Sequence, residues 1–194
     1  MLAGPEIVKI GSTGRPMPHV AIEIRDNDGR CLGHGEQGEI CVRGPKVTPG
    51  YWRAPDKTQA SFFADGWFRT GDIGYLDPQG FLFLTDRLKD MIISGGENIA
   101  SSEVERAIYQ LPQVSDAAVI GLPDERWGER VVAVVVLNPD ASLSEAELMT
   151  HCRSALAGFK VPKQLIIRQE LPRNPSGKVL KRLLRSELVA NSHP

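Results

Sequence analysis

The chain has 194 residues, of which 41% are hydrophobic and 24% charged, and its formal net charge is −1. This composition is typical of a folded globular protein, and the length suits one ordinary domain or two small ones. The near-neutral charge argues against a general nucleic-acid binder, which usually carries a strong basic excess. No stretch approaches the roughly 18 apolar residues that a membrane span requires. We therefore expect no nucleic-acid partner and no transmembrane segment.

The first part of the chain, residues 1–86, is predicted to be rich in β-structure. Short strands separated by glycine-containing turns are typical of a small barrel or a folded sheet. One short helix is predicted between them, with Asp56 as the N-cap and Gln59 three residues later. The strand-like segments are residues 20–26, 38–44 and 80–87.

The second part of the chain, residues 90–194, mixes strand and helix patterns. Residues 130–137 are continuously apolar after Arg130, and this run predicts a buried central strand. Two helix starts resemble capping boxes, in which a serine is followed three residues later by a glutamate. A last helix is expected at roughly 179–190. The two capping-box pairs are Ser102 with Glu105 and Ser144 with Glu147.

These patterns predict an α+β protein, with a β-rich, barrel-like subdomain followed by a small α+β cap domain. We place the boundary at residues 87–90, where the composition changes, so that the cap covers residues 91–194. The charge is also uneven: residues 87–159 carry 6 basic and 11 acidic side chains, whereas residues 160–194 carry 8 basic and 2 acidic ones. Such a basic segment is usually a solvated helix face, and the alternative is a surface that meets phosphates.

The cysteines and histidines show no disulfide or metal pattern. Cys31, Cys41 and Cys152 are far apart and form no Cys-x-x-Cys pair, and the four histidines lack ligand spacing. The N-terminus has no charged segment followed by a long apolar run, so no signal peptide is expected. We therefore predict a protein of the reducing cytoplasm, without a metal held mainly by its own side chains.

The segment Leu-Pro-Arg-Asn-Pro-Ser-Gly-Lys places Lys178 at a junction between a turn and a helix. A lysine at a loop tip offers a mobile point charge to a phosphate or a carboxylate, although most such lysines simply face solvent. Trp127 offers a stacking surface for a base if it is exposed, and packing under a loop is an equally good interpretation.

Three further features could have a functional role, although each of them is weak evidence when it is taken alone. Asp72 lies in a predicted glycine-flanked turn, where a carboxylate could accept hydrogen bonds from a ribose diol; an ordinary turn is the simpler interpretation. Arg87 could bind phosphate or ribose oxygens. The pair Gly95-Gly96 lets the backbone approach a ligand closely, or makes a hairpin turn.

Taken together and in order, four motifs resemble the later motifs of the adenylate-forming superfamily, and most of all its acyl-coenzyme A synthetases of the fatty-acid type. The motifs are GEICVRGPKVTPGYW, GWFRTGD, DRLKDMIISGGENI and LPRNPSGKVLKR. The resemblance runs from about residue 11 to residue 185. It implies a two-step reaction in which ATP converts a carboxylate into an acyl-adenylate, and the thiol of coenzyme A then displaces AMP.

The resemblance also implies roles for individual residues. Asp72 and Arg87 would bind the ribose and phosphate region of ATP, and Lys89 would be the hinge of a swinging C-terminal domain. Lys178 would be the catalytic cation on the carboxylate and α-phosphate oxygens. The residues implied in coenzyme A binding are Gly95, Gly96, Glu97, Trp127 and Lys160.

The chain has neither the Ser/Thr/Gly-rich phosphate loop nor the Thr-Glu motif with which that superfamily holds ATP and Mg²⁺. It therefore resembles the C-terminal portion of a synthetase. Such a portion would need the N-terminal part of the same enzyme for activity on a fatty acid. Residues 1–86 would be the last part of the large domain of that enzyme. Two alternatives remain open: a stand-alone, non-catalytic module that binds nucleotide, coenzyme A or a partner, and a fragment of an adenylation enzyme that serves carrier proteins. The SGGENI sequence disfavours the last of these.

Overall fold

The computed structural model describes residues 9–190. The chain divides into two compact units, Met1–Lys89 and Asp90–Pro194. Both units combine helices with sheets, so the predicted α+β class is confirmed. Among the described residues, no helix is long and apolar enough to cross a membrane.

The first unit contains one antiparallel sheet of four strands in the order β1-β2-β3-β4. The strands pair with their neighbours along the chain, and the described residues form an open sheet rather than a closed barrel. A single helix lies between β2 and β3. The elements are β1 (Ala21–Arg25), β2 (Gly38–Arg43), α1 (Pro55–Ala60), β3 (Phe68–Leu76) and β4 (Leu82–Arg87).

The start of α1 differs from the sequence-based prediction. Ala54 occupies the N-cap position and no side chain caps the helix, so the prediction of Asp56 as the N-cap was wrong. Pro55 explains the shift, because proline is favoured at the first helical position, where its missing N–H has no helical partner anyway. Asp56 instead lies in the first turn, where its negative charge suits the helix dipole.

The second unit contains a five-stranded sheet in which β6, β5, β8 and β7 lie side by side and β9 pairs with β8. All pairings are antiparallel except that of β8 with β9, which is parallel and is reached through a helical crossover. The elements are β5 (Ile92–Ser94), β6 (Glu97–Ile99), α2 (Ser101–Ile108), β7 (Val114–Asp124), β8 (Gly128–Leu137), α3 (Glu145–Ala155), β9 (Gln164–Arg168) and α4 (Lys181–Ala190).

Strand β8 is the buried central strand that the apolar run predicted. Its side chains alternate between two hydrophobic clusters, one on each face of the sheet, so both faces need apolar residues. Val131, Ala133 and Val135 pack with residues of α2 and α3, whereas Val132 and Val134 pack with Leu184 of α4. Burial of each valine contributes about 1.5 kcal/mol or more, which holds the helices to the sheet.

The two predicted capping boxes have different outcomes. Ser144 and Glu147 form a complete capping box at the start of α3, as expected. At α2 the prediction was wrong: the N-cap is Ala100, and no side chain caps the helix. The Glu105 carboxylate instead accepts a hydrogen bond from the Val119 backbone N–H of β7 at 2.8 Å. The last helix begins at Lys181, two residues later than expected.

Candidate functional site

Asp72 and Arg87 stand opposite each other on β3 and β4. Arg87 Nε lies 2.7 Å from Asp72 Oδ1, and the two side chains are 46% and 30% exposed. Asp72 therefore lies in a strand, and its predicted placement in a turn was wrong. Gly71 keeps a turn-like backbone with φ 71°, which is why the local sequence looks like a turn. The paired carboxylate remains accessible to the hydroxyls of a ligand.

Lys89 is exposed and lies in a short 3₁₀ turn, Leu88–Asp90. The division between the two units falls directly after Lys89. Short turns of this kind absorb backbone rotation more easily than strands or long helices. Its role as a hinge stays a prediction.

Gly95 and Gly96 form the tip of the β5–β6 hairpin, with φ values of 61° and 84°. Two successive positive φ angles are the signature of a type I′ turn, which glycine adopts without steric cost. Glu97 follows directly as the first residue of β6, and all three residues are exposed. The glycine pair thus makes a hairpin turn, which is one of the two roles considered for it, and the backbone is open to the surface at Gly96.

Trp127 contacts this hairpin. Its carbonyl accepts a hydrogen bond from the Gly95 N–H at 2.8 Å. A Cβ atom placed on Gly95 would lie 2.9 Å from the indole ring, so the ring covers the hairpin closely. The residue is still 42% exposed, and the Arg126 guanidinium lies 4.6 Å from the ring centroid. Trp127 therefore both packs against the turn and presents ring surface to solvent.

The Lys160 ammonium is bound by another side chain. Its Nζ lies 2.7 Å from both carboxylate oxygens of Glu103, in the first turn of α2. This cation is half-buried, and Glu103 already neutralises it. A phosphate that used Lys160 would have to compete with that carboxylate.

Lys178 lies on an exposed loop between β9 and α4. Its backbone N–H donates to Asn174 Oδ1 at 2.8 Å, which shapes the turn. Among residues 9–190, none forms a hydrogen bond or an ion pair with the Lys178 ammonium. The side chain therefore faces solvent, and its binding of a ligand stays a prediction.

The structure brings together two sets of the predicted residues: Asp72 with Arg87, and the glycine hairpin with Trp127. It also adds residues that the sequence patterns did not single out. Glu129 accepts a hydrogen bond from the Ile93 N–H at 2.9 Å and so holds β5 in place. Among the described residues, no group of three or more histidines, cysteines or acidic residues could hold a metal ion.

Two segments of the chain match known protein families. Residues 103–178 match the C-terminal domain of AMP-binding enzymes, and residues 2–52 match the AMP-binding enzyme family. The chain therefore carries the C-terminal domain of AMP-binding enzymes, preceded by a segment of their AMP-binding domain.

Within that class, the chain is similar to long-chain-fatty-acid–CoA ligases. It is 44% identical to FadD13 of Mycobacterium tuberculosis over 98% of this chain and 37% of that protein. It is 48% identical to a long-chain-fatty-acid–CoA ligase of Yersinia pestis over 92% of this chain and 32% of that one. The chain thus spans about a third of the length of these relatives.

A solved structure has the same fold. ATP-bound MatB from Rhodopseudomonas palustris superimposes with a TM-score of 0.87 at 41% identity, covering 92% of this chain and 36% of that one. At this identity the likeness rests on the sequence as well as on the fold.

Proposed function

We propose that this chain is the C-terminal portion of an ATP-dependent, AMP-forming acyl-coenzyme A ligase. The observation that carries the proposal is Lys178, an exposed cation on a hydrogen-bonded turn, whose ammonium has no hydrogen-bond or ion-pair partner among residues 9–190. The relatives named as CoA ligases support the same conclusion.

The first reaction joins a carboxylate oxygen to the α-phosphorus of ATP and expels pyrophosphate. Two anions must come into contact, and their repulsion raises the barrier. A lysine that bridges the carboxylate and the α-phosphate lowers this repulsion and stabilises the negative charge of the transition state. By analogy with the loss of one oxyanion donor, such a group contributes roughly 3 kcal/mol. Lys178 takes this role.

Asp72 and Arg87 bind the ribose of the nucleotide. Asp72 accepts hydrogen bonds from the two hydroxyls, while Arg87 holds the carboxylate in place and contacts the same region. The ATP-bound relative supports a nucleotide in this role. Mg²⁺ accompanies the triphosphate and is held with the upstream region rather than by the described residues.

The second reaction transfers the acyl group from AMP to the thiol of coenzyme A. Gly95, Gly96 and Glu97 form the surface that receives coenzyme A. The Trp127 ring borders this surface at Gly95, and a pantetheine chain can lie against the open backbone at Gly96. Trp127 and Lys160 contact the nucleotide end of coenzyme A. Lys89 is the hinge about which the C-terminal unit moves between the two reactions.

The carboxylate substrate is a fatty acid, because the relatives named above act on long-chain fatty acids. The partner that completes the enzyme is the N-terminal part of the same protein, and the cytoplasm is the compartment that supplies ATP and coenzyme A.

Carboxylate-dependent exchange of pyrophosphate into ATP tests the proposal. We expect no exchange with the 194-residue chain and measurable exchange with a longer chain that includes an upstream region of the kind these ligases possess. If the longer protein stays inactive with every carboxylate tried, the ligase function is wrong and a non-catalytic binding module becomes the better explanation.

The Lys178→Ala variant of the longer enzyme tests the assigned role. Adenylate formation should fall by a factor of roughly 100 to 1,000, whereas thioester formation from supplied acyl-adenylate should be largely retained. Equal losses in both reactions would contradict a role confined to the first step.

A further inference from the structure

The loop that carries Lys178 is closed by its own hydrogen bonds. The Asn174 N–H donates to the Lys178 carbonyl at 2.9 Å, and the Gly177 N–H donates to the Asn174 carbonyl at 2.9 Å. The Asn174 side-chain oxygen also accepts from the backbone N–H groups of Ser176 at 3.1 Å and Lys178 at 2.8 Å. These bonds set the shape of the loop, but they do not attach it to the sheet.

Arg173 provides the attachment. One end of its guanidinium, Nη1, donates to the Gly177 carbonyl, directly before Lys178. The other end, Nη2, forms an ion pair with Asp116 of β7. A single planar group thus joins the far side of the loop to a strand of the sheet, and the fork geometry of arginine suits such a bridge.

Asp116 is itself held in place. Its Oδ1 accepts hydrogen bonds from the Tyr109 hydroxyl at 2.8 Å and from the Ala117 N–H at 3.0 Å. The Tyr109 hydroxyl is a donor at neutral pH, and burial together with the neighbouring Asp116 carboxylate raises its pKa further above the ordinary value of 10.0. Asp116 Oδ2 is then left to face Arg173.

We propose that Arg173, supported by Asp116 and Tyr109, is a positioning residue that determines where Lys178 delivers its charge. The inference rests on the proposed function of Lys178. It adds a positioning contact, which that function by itself does not require. The motif residues Asn174 and Gly177 make the turn; the Arg173 bridge orients that turn relative to β7.

The bridge contributes more to geometry than to stability. Arg173 and Asp116 are 43% and 20% exposed, and ion pairs at this level of exposure add little to the free energy of folding. The loop is also anchored independently at both ends, by buried Leu171 and by Lys181, whose ammonium lies 2.6 Å from Glu105 and donates to Ser101 at 2.7 Å. Loss of Arg173 should therefore leave the unit folded and increase the mobility of the loop alone.

The first test uses the 194-residue chain and does not depend on catalysis. In Arg173→Ala, amide hydrogen exchange at Asn174, Gly177 and Lys178 should become at least roughly 10-fold faster, as expected for local opening. The matched control is Arg168→Ala, which removes another ion pair of this unit, with Glu187 of α4. Unchanged exchange in Arg173→Ala would overturn the inference.

The second test uses the longer enzyme and separates the two reactions. Arg173→Ala should lower kcat for adenylation by roughly 10- to 100-fold, since misplacement by about 1 Å has effects of this size. The KM for ATP and the rate of thioester formation from supplied adenylate should stay within about 2-fold. Arg173→Lys should be intermediate, because a single ammonium replaces the fork that reaches both Asp116 and Gly177.

The outcomes distinguish the inference from the proposed function. If Lys178→Ala impairs adenylation and Arg173→Ala does not, the inference is wrong and the function stands. If Lys178→Ala has no effect on adenylation, the proposed role of Lys178 is wrong and the positioning role of Arg173 falls with it, whereas the ligase function stands. Equal loss of both reactions in Arg173→Ala would indicate a merely structural role and would also overturn the inference.

Discussion

Arg87 and Asp72 face each other across neighbouring strands, with Nε of the arginine 2.7 Å from Oδ1 of the aspartate. The pairing holds the carboxylate in one orientation while both side chains remain partly exposed. In the proposed function, a preorganised carboxylate binds the ribose diol without first losing its own rotational freedom.

Asp72→Asn should therefore weaken ATP binding in the longer enzyme. The amide retains one accepting oxygen but loses the charge, and hydrogen bonds to charged groups contribute about 1.5–3 kcal/mol. We expect the KM for ATP to rise roughly 10- to 100-fold with a smaller change in kcat, measured by pyrophosphate exchange at varied ATP. Asp28→Asn, in an exposed turn, is the control. An unchanged KM would exclude Asp72 from nucleotide binding.

Glu103→Gln should strengthen coenzyme A binding. Glu103 holds Lys160 with both carboxylate oxygens at 2.7 Å, so removing its charge releases the cation for a phosphate. This ion pair is only partly exposed, and with a contribution of up to about 1 kcal/mol its loss should lower the KM for coenzyme A by roughly 2- to 5-fold. Glu187→Gln, which releases Arg168 from a similar pair, should have no effect. A raised or unchanged KM in Glu103→Gln would contradict the role of Lys160.

Gly95→Ala and Gly96→Ala should differ, although both residues have positive φ. Both variants incur the left-handed backbone cost of about 1–2 kcal/mol. At Gly95 the new methyl group would also lie 2.9 Å from the Trp127 ring, whereas nothing lies within 4 Å at Gly96. We expect the Trp127 indole N–H resonance to shift in Gly95→Ala and not in Gly96→Ala. The rate of thioester formation should also fall more in Gly95→Ala than in Gly96→Ala. Similar spectra for both variants would show that the ring does not cover Gly95.

Arg25→Ala should destabilise the first unit. Arg25 is only 6% exposed and donates to Glu23 and Asp65 at 2.7–3.0 Å, and its guanidinium lies 5.1 Å from the centroids of Phe63 and Trp67. Loss of these charged hydrogen bonds and of the packing should lower the free energy of unfolding by about 2–4 kcal/mol. Urea denaturation followed by tryptophan fluorescence measures this, because Trp67 is buried beside Arg25. Arg30→Ala, at an exposed position, should cost far less.

The ion pair of Arg25 with Asp65 predicts that the stability of the first unit depends on pH. The hydrogen bond from Arg25 lowers the pKa of Asp65 below its ordinary value of 3.8. Because the folded-state pKa lies below the unfolded one, this stabilisation is fully present well above pH 3.8 and is lost as the pH falls through the folded-state pKa. As the pH is lowered from about 6 to about 2, the urea concentration at the unfolding midpoint should therefore fall more steeply for the wild type than for Asp65→Asn. Parallel curves would contradict the assignment.

Local patterns in the sequence determined much of this protein. The apolar run of β8 predicts a strand buried on both faces, because no polar residue interrupts it. The Ser144–Glu147 capping box and the Lys178 turn were also predictable, since each depends on hydrogen bonds between residues at most four apart in the chain. The order of the four motifs indicated the family.

The tertiary structure alone decided which charged groups meet. Glu105 looked like half of a capping box, but its carboxylate binds β7, 14 residues away. Asp72 looked like a turn residue, and its pairing with Arg87 on the next strand made it part of a sheet. Arg173 and Asp116 are 57 residues apart in the chain, so no local pattern joins them. A carboxylate binds the donor that the fold brings near it, and spacing along the chain reveals such partners only within a turn or two of helix.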